Sequence, residues 1–139
     1  MLTRAYTEFV DKLVRDVVGS RIMETILRFA PDEMVQQLFN SYFKDNLTEL
    51  SFDKNANFAV QRLFERLTKP EDVNNALGLL DETIGLLCAF SLPQGLILAE
   101  TKVAVAISLI EACIRTNADR DKAHQVSSNI SVSLIKLRI

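Results

Sequence analysis

Residues 53–67 read DKNANFAVQRLFERL. Ala59, Val60, Leu63 and Phe64 fall at i, i+1, i+4 and i+5, which is one stripe of an α-helix. Asp53 precedes the stripe, where a side-chain oxygen can accept a free backbone N–H. The other side of the helix carries Asn57, Phe58 and Gln61. A solvated face ordinarily takes Lys, Glu and Arg. Positions i and i+4 share a face, so Asn57 and Gln61 are expected to present a row of donors and acceptors on the wet side, with the Phe58 ring beside them.

The same pattern stands 37 residues upstream, in DVVGSRIMETILRFA, residues 16–30. Asp16 matches Asp53, Gly19 matches Ala56, and Ser20, Arg21 and Glu24 match Asn57, Phe58 and Gln61. Ile22, Met23, Ile26 and Leu27 repeat the apolar stripe. Gly19 and Ala56 are expected to be small because a neighbouring helix, or a base, comes close. A second echo follows each helix. APDEMVQQLF begins at Ala30 and KPEDVNNAL at Lys69. Each puts Pro at an expected first helical position with two acids behind it, suiting the positive end of the helix dipole. A short helix over DNLTELSF, residues 45–52, leads into the second unit.

A third unit is degraded. KVAVAISLIEACI, residues 102–114, shares the stripe when Val103 is set against Asn57, a displacement of 46 residues, the excess being assigned to a loop at FSLPQG, residues 90–95. Its reading positions are Val103, Ala104 and Ile107, none of which can read a base edge. HQVSSNISVSLIKLRI, from His124 onward, matches nothing upstream and is either a strand-like tail or an unpaired end. Other strand signals are scarce. The chain is therefore expected to be all-α, an α-solenoid of about three stacked helical repeats. The units are set at residues 5–44, 45–80 and 81–125, with a tail at 126–139. No polar cap marks either end, so a partial array is expected.

The bulk numbers exclude several classes. Of 139 residues, 48% are apolar and 24% charged, the balance of a folded chain. The net charge of −2 and pI of about 5.4 do not announce a nucleic-acid binder. Charges run through MLTRAYTEFVDKL, so it does not read as a signal peptide. No apolar run is long enough to span a membrane. Cys88 and Cys113 lack metal-ligand spacing and read as two buried thiols. No metal, cofactor or small-molecule substrate is expected.

SRIME and NFAVQ have the S-R-x-x-E and N-F-x-x-Q forms of Pumilio (PUF) repeats, and the period and leading Asp agree. VGSRIMETIL, SYFKDNLTELSFDKNANFAVQRLFERL and AISLIEAC are similar, more narrowly, to the nucleolar ribosome-biogenesis branch of that family. The resemblance covers residues 10–115 and is strong in the first two units. It implies single-stranded RNA binding, with precursor rRNA and the pre-ribosomal particle as partners. It further implies a role in small-subunit (18S) rRNA maturation and a nuclear, nucleolar location. By the family's pattern Ser20 and Glu24 take guanine and Asn57 and Gln61 take uracil, while Arg21 and Phe58 stack. The chemistry agrees: an ionised Glu24 only accepts, matching the N1–H and N2–H₂ donors of guanine. With RNA antiparallel to the repeats, the resemblance implies a preference for 5′-UG-3′. Arg15, Arg21, Arg28, Arg62 and Arg66 gather around the two helices and are expected to make a local positive groove, with Arg28 and Arg62 at the RNA.

No enzyme emerges. His124, the single histidine, lies in a polar stretch, and no phosphate loop, HExxH or CxxC is present. Two alternatives stand beside RNA binding: a protein-binding α-solenoid of armadillo or HEAT kind, and a fragment with the fold but too few repeats to hold RNA.

Overall fold

The computed structural model describes residues 4–88 and 95–118, with the isolated positions Asp121, His124 and Ser128. Of the loop expected at residues 90–95, positions 90–94 lie outside the described residues and Gly95 already belongs to a helix; of the tail expected at 126–139, all but Ser128 lies outside them. Among the described residues every regular element is helical, in line with the all-α expectation. The chain divides into two compact units, Met1–Leu67 and Thr68–Ile139.

The first unit contains α1 (Arg4–Arg15), α2 (Val17–Phe29), α3 (Asp32–Leu38), a π-helical turn (Phe39–Phe43), α4 (Lys44–Phe52) and α5 (Ala56–Arg66). The repeat is visible in its capping. Asp16 Oδ2 accepts from the N–H groups of Val18 and Gly19 at 3.1 and 2.8 Å. Asp53 Oδ1 accepts from those of Asn55 and Ala56 at 2.8 and 2.9 Å. Both aspartates thus hold the N–H groups two and three residues on, satisfying donors that no helical carbonyl can reach.

Pro31 sits one position before α3, in extended backbone, with Asp32 and Glu33 in the first turn. The DNLTELSF segment is not a separate helix. Leu38, Phe39, Phe43 and Lys44 keep right-handed helical backbone, so α3, the π turn and α4 form one continuous rod. The wider π turn directs Phe39, Tyr42 and Phe43 inward together, all 2% exposed or less. Each such side chain contributes about 1.5–3 kcal/mol by leaving water. The Tyr42 hydroxyl donates to Asp11 Oδ1 at 2.7 Å, tying the turn to α1.

α2 packs along α5 and α1. The near approach to α1 explains Gly19: a Cβ there would lie 2.2 Å from the Leu13 carbonyl oxygen. The four-residue stripe behaves differently in the two repeats. Ala59, Val60, Leu63 and Phe64 are completely buried. In α2 only Met23 and Leu27 are, whereas Ile22 is 47% exposed. The reason lies in the register. Asn55, Arg62 and Arg66 turn toward α1 and α2, bonding Arg15, Glu24 and Leu27. Their counterparts 37 residues earlier are Val18, Thr25 and Phe29, which with Ile22 form an exposed row.

The second unit has α6 (Pro70–Cys88) packed on α7 (Gly95–Thr116). Pro70 is the first helical residue of α6, with Glu71 and Asp72 in the first turn, as expected. Val73, Ala76 and Leu77 of α6 and Val105, Leu109 and Ala112 of α7 are buried, as is the Cys113 thiol. Asn117 closes α7 at φ 56°, and the Ala118 N–H reaches back to the Cys113 carbonyl at 3.1 Å. That is a Schellman closure, using Asn for a left-handed position usually given to Gly. At the degraded reading positions Ile107 is 52% exposed and Ala104 half-buried.

Candidate nucleic-acid interface

Asp16 and Asp53 make matching side-chain bonds although α2 begins one residue after the first and α5 three after the second, and residues 20, 21 and 24 of α2 stand near Asn55 and Phe58. Between them lies a cavity of 270 Å³ lined by Val17, Ser20, Arg21, Glu24, Asn55 and Phe58. It brings together a carboxyl, a hydroxyl and a guanidinium from one repeat and an aromatic ring from the next. Phe58 is 49% exposed, so its ring is offered to solvent and not to the core. Ser20 is among the lining residues but is itself only 4% exposed, against the expected wet face, and its hydroxyl donates to the Val17 carbonyl at 3.1 Å.

Asn57 and Gln61 correct the expectation of a wet face. They are 3% and 9% exposed and do not line the cavity. Asn57 Nδ2 donates to the Asp53 carbonyl at 2.8 Å, and Gln61 Nε2 donates to Asn57 Oδ1 at 3.2 Å. The amides satisfy each other because buried polar groups must be paired. Of the second trio, Phe58 alone stands in the open.

The arginines also sort differently from the expected positive groove. Arg15 pairs with Asp11, Glu49 and Asp53. Arg66 donates to the carbonyls of Leu27, Arg28 and Ala30 and to Asp32, so an acid of the Pro-acid-acid start lies against this cluster. Arg62 Nη1 pairs with Glu65 at 2.6 Å, while its Nε faces Glu24 Oε1 at 3.7 Å. Among the described residues Arg21 and Arg28 are exposed and make no ion pair. Of the five arginines expected to form the groove, these two are the ones left open to solvent without an ion pair. Val17 and Asn55 also line the cavity and were not expected there; their place beside the capping Asp16 and Asp53 was the signal available.

A separate cavity of 480 Å³ is lined by Asp11, Arg15, Tyr42, Asp45, Glu49 and neighbouring polar residues. Burial works to raise the Asp11 carboxyl, but hydrogen bonds from Tyr42 and Arg15 outweigh it and hold Asp11 below its ordinary value. Burial and the Asp11 acceptor push the Tyr42 phenol well above its usual range. The Asp11, Arg15 and Tyr42 bonds join α1 to the π turn, and Arg15 reaches Glu49 of α4. No described group of His, Cys, Asp and Glu could hold a metal, and no described helix is long and apolar enough to cross a membrane.

Comparison with known proteins bears on the same helices. The NOP9-like PUF repeat domain family matches residues 3–133. Among similar proteins, Nucleolar protein 9 of Phaeosphaeria nodorum is 31% identical over 111 residues, covering 80% of this chain and 14% of that protein. Nucleolar protein 9 of Aspergillus flavus is 33% identical over 113 residues, covering 81% and 14%. That of Botryotinia fuckeliana is 36% identical over 69 residues, covering 50% and 9%. The chain thus spans about 14% of the length of the first two relatives. No solved structure matches it. The repeated capping and the near-complete family match agree that this chain belongs to the NOP9-like PUF repeat family.

Proposed function

We propose that this chain is a single-stranded RNA-binding segment of a nucleolar Pumilio-repeat protein, acting on precursor rRNA during small-subunit maturation. The observation that carries the reading is the 270 Å³ cavity, which joins Ser20, Arg21 and Glu24 of one repeat to Phe58 of the next. A splayed guanine gives its N1–H and N2–H₂ edge to Glu24, with Ser20 beside it. Arg21 and Phe58 supply flat faces for stacking. Arg28 takes a phosphate. The nucleolar setting follows the name of the relatives, and the rRNA target follows the family resemblance.

Asn57 and Gln61 remain the second reading pair in this proposal. Their mutual 3.2 Å bond must then be exchanged for bonds to uracil, with both amides turning out of the buried position they hold in the free chain. Two read bases at about 1–3 kcal/mol each make for micromolar or weaker binding with a steep salt dependence. Fluorescence anisotropy tests this, with UG-containing, UA-containing and poly-A oligomers at low and moderate salt. A preference for UG that Glu24→Gln erodes supports the reading. A folded chain that binds none of them at low salt ends it.

The exposed row Val18, Ile22 and Phe29 favours a second reading, in which this face packs against protein. On that reading substitution of this row, and not of Glu24, alters partner binding.

A further inference from the structure

Arg62 is positioned for a task that neither a phosphate contact nor a surface ion pair describes. It belongs to α5, in the second repeat, yet its Nε lies 3.7 Å from Oε1 of Glu24 in the first. It does not line the cavity that Glu24 lines. Its Nη1 is held on its own helix by Glu65 at 2.6 Å, which aims the guanidinium edge at α2. The Nε itself is cut off from solvent and has no hydrogen-bond acceptor, although the side chain as a whole is 26% exposed. A buried, unmatched donor beside a carboxylate just out of reach is an unfinished hydrogen bond.

We propose that Arg62 sets the base selectivity of the neighbouring repeat by holding the Glu24 carboxylate from behind, without touching RNA. The inference rests on the functional reading above. Glu24 turning its edge toward a base brings Oε1 within reach of the waiting Nε–H. The carboxylate has about four acceptor positions, so it can accept from Arg62 and still take both guanine donors. A base offering no such donor pair does not draw the carboxylate into that position. The preference of one repeat thereby depends on a residue of the next, and Arg62 is a positioning residue, not an RNA ligand.

The test uses the 139-residue chain, with Arg62→Gln, Arg62→Lys and Glu24→Gln, against UG and UA oligomers by fluorescence anisotropy. Arg62→Gln is expected to reduce the UG-over-UA ratio about five- to tenfold, the scale of one charge-assisted contact, while leaving UA affinity within about twofold. Arg62→Lys should restore part of the ratio. In the wild type, the ¹⁵N-detected Arg62 Nε–H signal should shift on adding UG and stay in place with UA. This holds whether or not a variant folds. Equal weakening on both oligomers by a folded Arg62→Gln makes Arg62 a phosphate contact and overturns the inference. So does an unchanged ratio while Glu24→Gln loses it, or an Nε–H signal indifferent to UG. If Glu24→Gln keeps the wild-type ratio, the RNA reading itself fails, and this inference with it.

Discussion

Arg66 closes the end of a helix in the preceding repeat: its Nη1 donates to the Leu27 carbonyl at 2.7 Å, among the last residues of α2. Nη2 continues to the Ala30 carbonyl at 2.6 Å and to Asp32 at 2.8 Å. The carbonyls at a helix end have no intrahelical partner, and a guanidinium fork can take several at once. Arg66→Ala should therefore cost about 2–3 kcal/mol, the scale of losing hydrogen bonds from a charged donor at a partly buried site. Arg66→Lys should recover only part, because an ammonium cannot span the same fork. Urea unfolding followed by circular dichroism measures both, and a loss under about 0.5 kcal/mol for Ala would refute the capping role.

Two glycines should respond in opposite directions to the same change. Gly19→Ala drives a Cβ to 2.2 Å from the Leu13 carbonyl, so α1 and α2 must separate. A destabilisation of about 1–3 kcal/mol is expected. Gly78 lies within α6 and a Cβ there meets nothing within 4 Å. Gly78→Ala should stabilise by up to about 1 kcal/mol through helix propensity alone. Midpoints of urea unfolding decide between these signs.

The Asp11–Tyr42 bond predicts opposite pH limbs. The Asp11 carboxyl is held below its ordinary 3.8, so its contribution is complete above that pH and is lost as pH falls through the lowered value. The Tyr42 phenol is held above its ordinary 10.0, so its contribution is complete below that pH and declines as pH rises past it. Asp11→Asn should flatten the acid limb of stability relative to wild type, and Tyr42→Phe the alkaline limb. Thermal melts across the pH range compare them. Parallel profiles for Tyr42→Phe and wild type above pH 10.0 would show that the bond is not made.

Phe58 and Glu24 should separate affinity from selectivity. Phe58→Ala removes a stacking face that every base can use, and binding of UG and UA should weaken together by about 1–3 kcal/mol. Glu24→Gln should lower the UG-over-UA ratio with little change for UA. Anisotropy titrations read both, and a Phe58→Ala effect confined to UG would contradict the stacking role.

The exposed row on α2 should tolerate polarity. Ile22 and Phe29 are 47% and 77% exposed, so Ile22→Ser with Phe29→Ser should change stability by no more than about 0.5 kcal/mol in the isolated chain. Leu27→Ala, at a completely buried position, should cost about 2–5 kcal/mol. A large loss from the surface pair would mean that this row is covered in solution, for example by a second copy.

Local chemistry written in the sequence determined a good part of this protein. Asp16 and Asp53 cap their helices in identical register because an aspartate two residues ahead of a free N–H needs no distant help. The 37-residue period, the acids behind Pro31 and Pro70, and the helical stripes follow from spacing alone. The stripe around Ile22 was legible too, but not that Ile22 is exposed while Ala59 is buried, since burial depends on which neighbour is present. Tertiary structure alone decided the site. A helical wheel puts Asn57 and Gln61 beside Phe58, but only packing shows that the amides turn inward and pair while the ring stays out. It likewise engages Arg15, Arg62 and Arg66 with carboxylates and carbonyls contributed by other helices, up to 39 residues away in sequence. Charge sites can be counted from a sequence, but whether a charge is open to RNA depends on what folds against it.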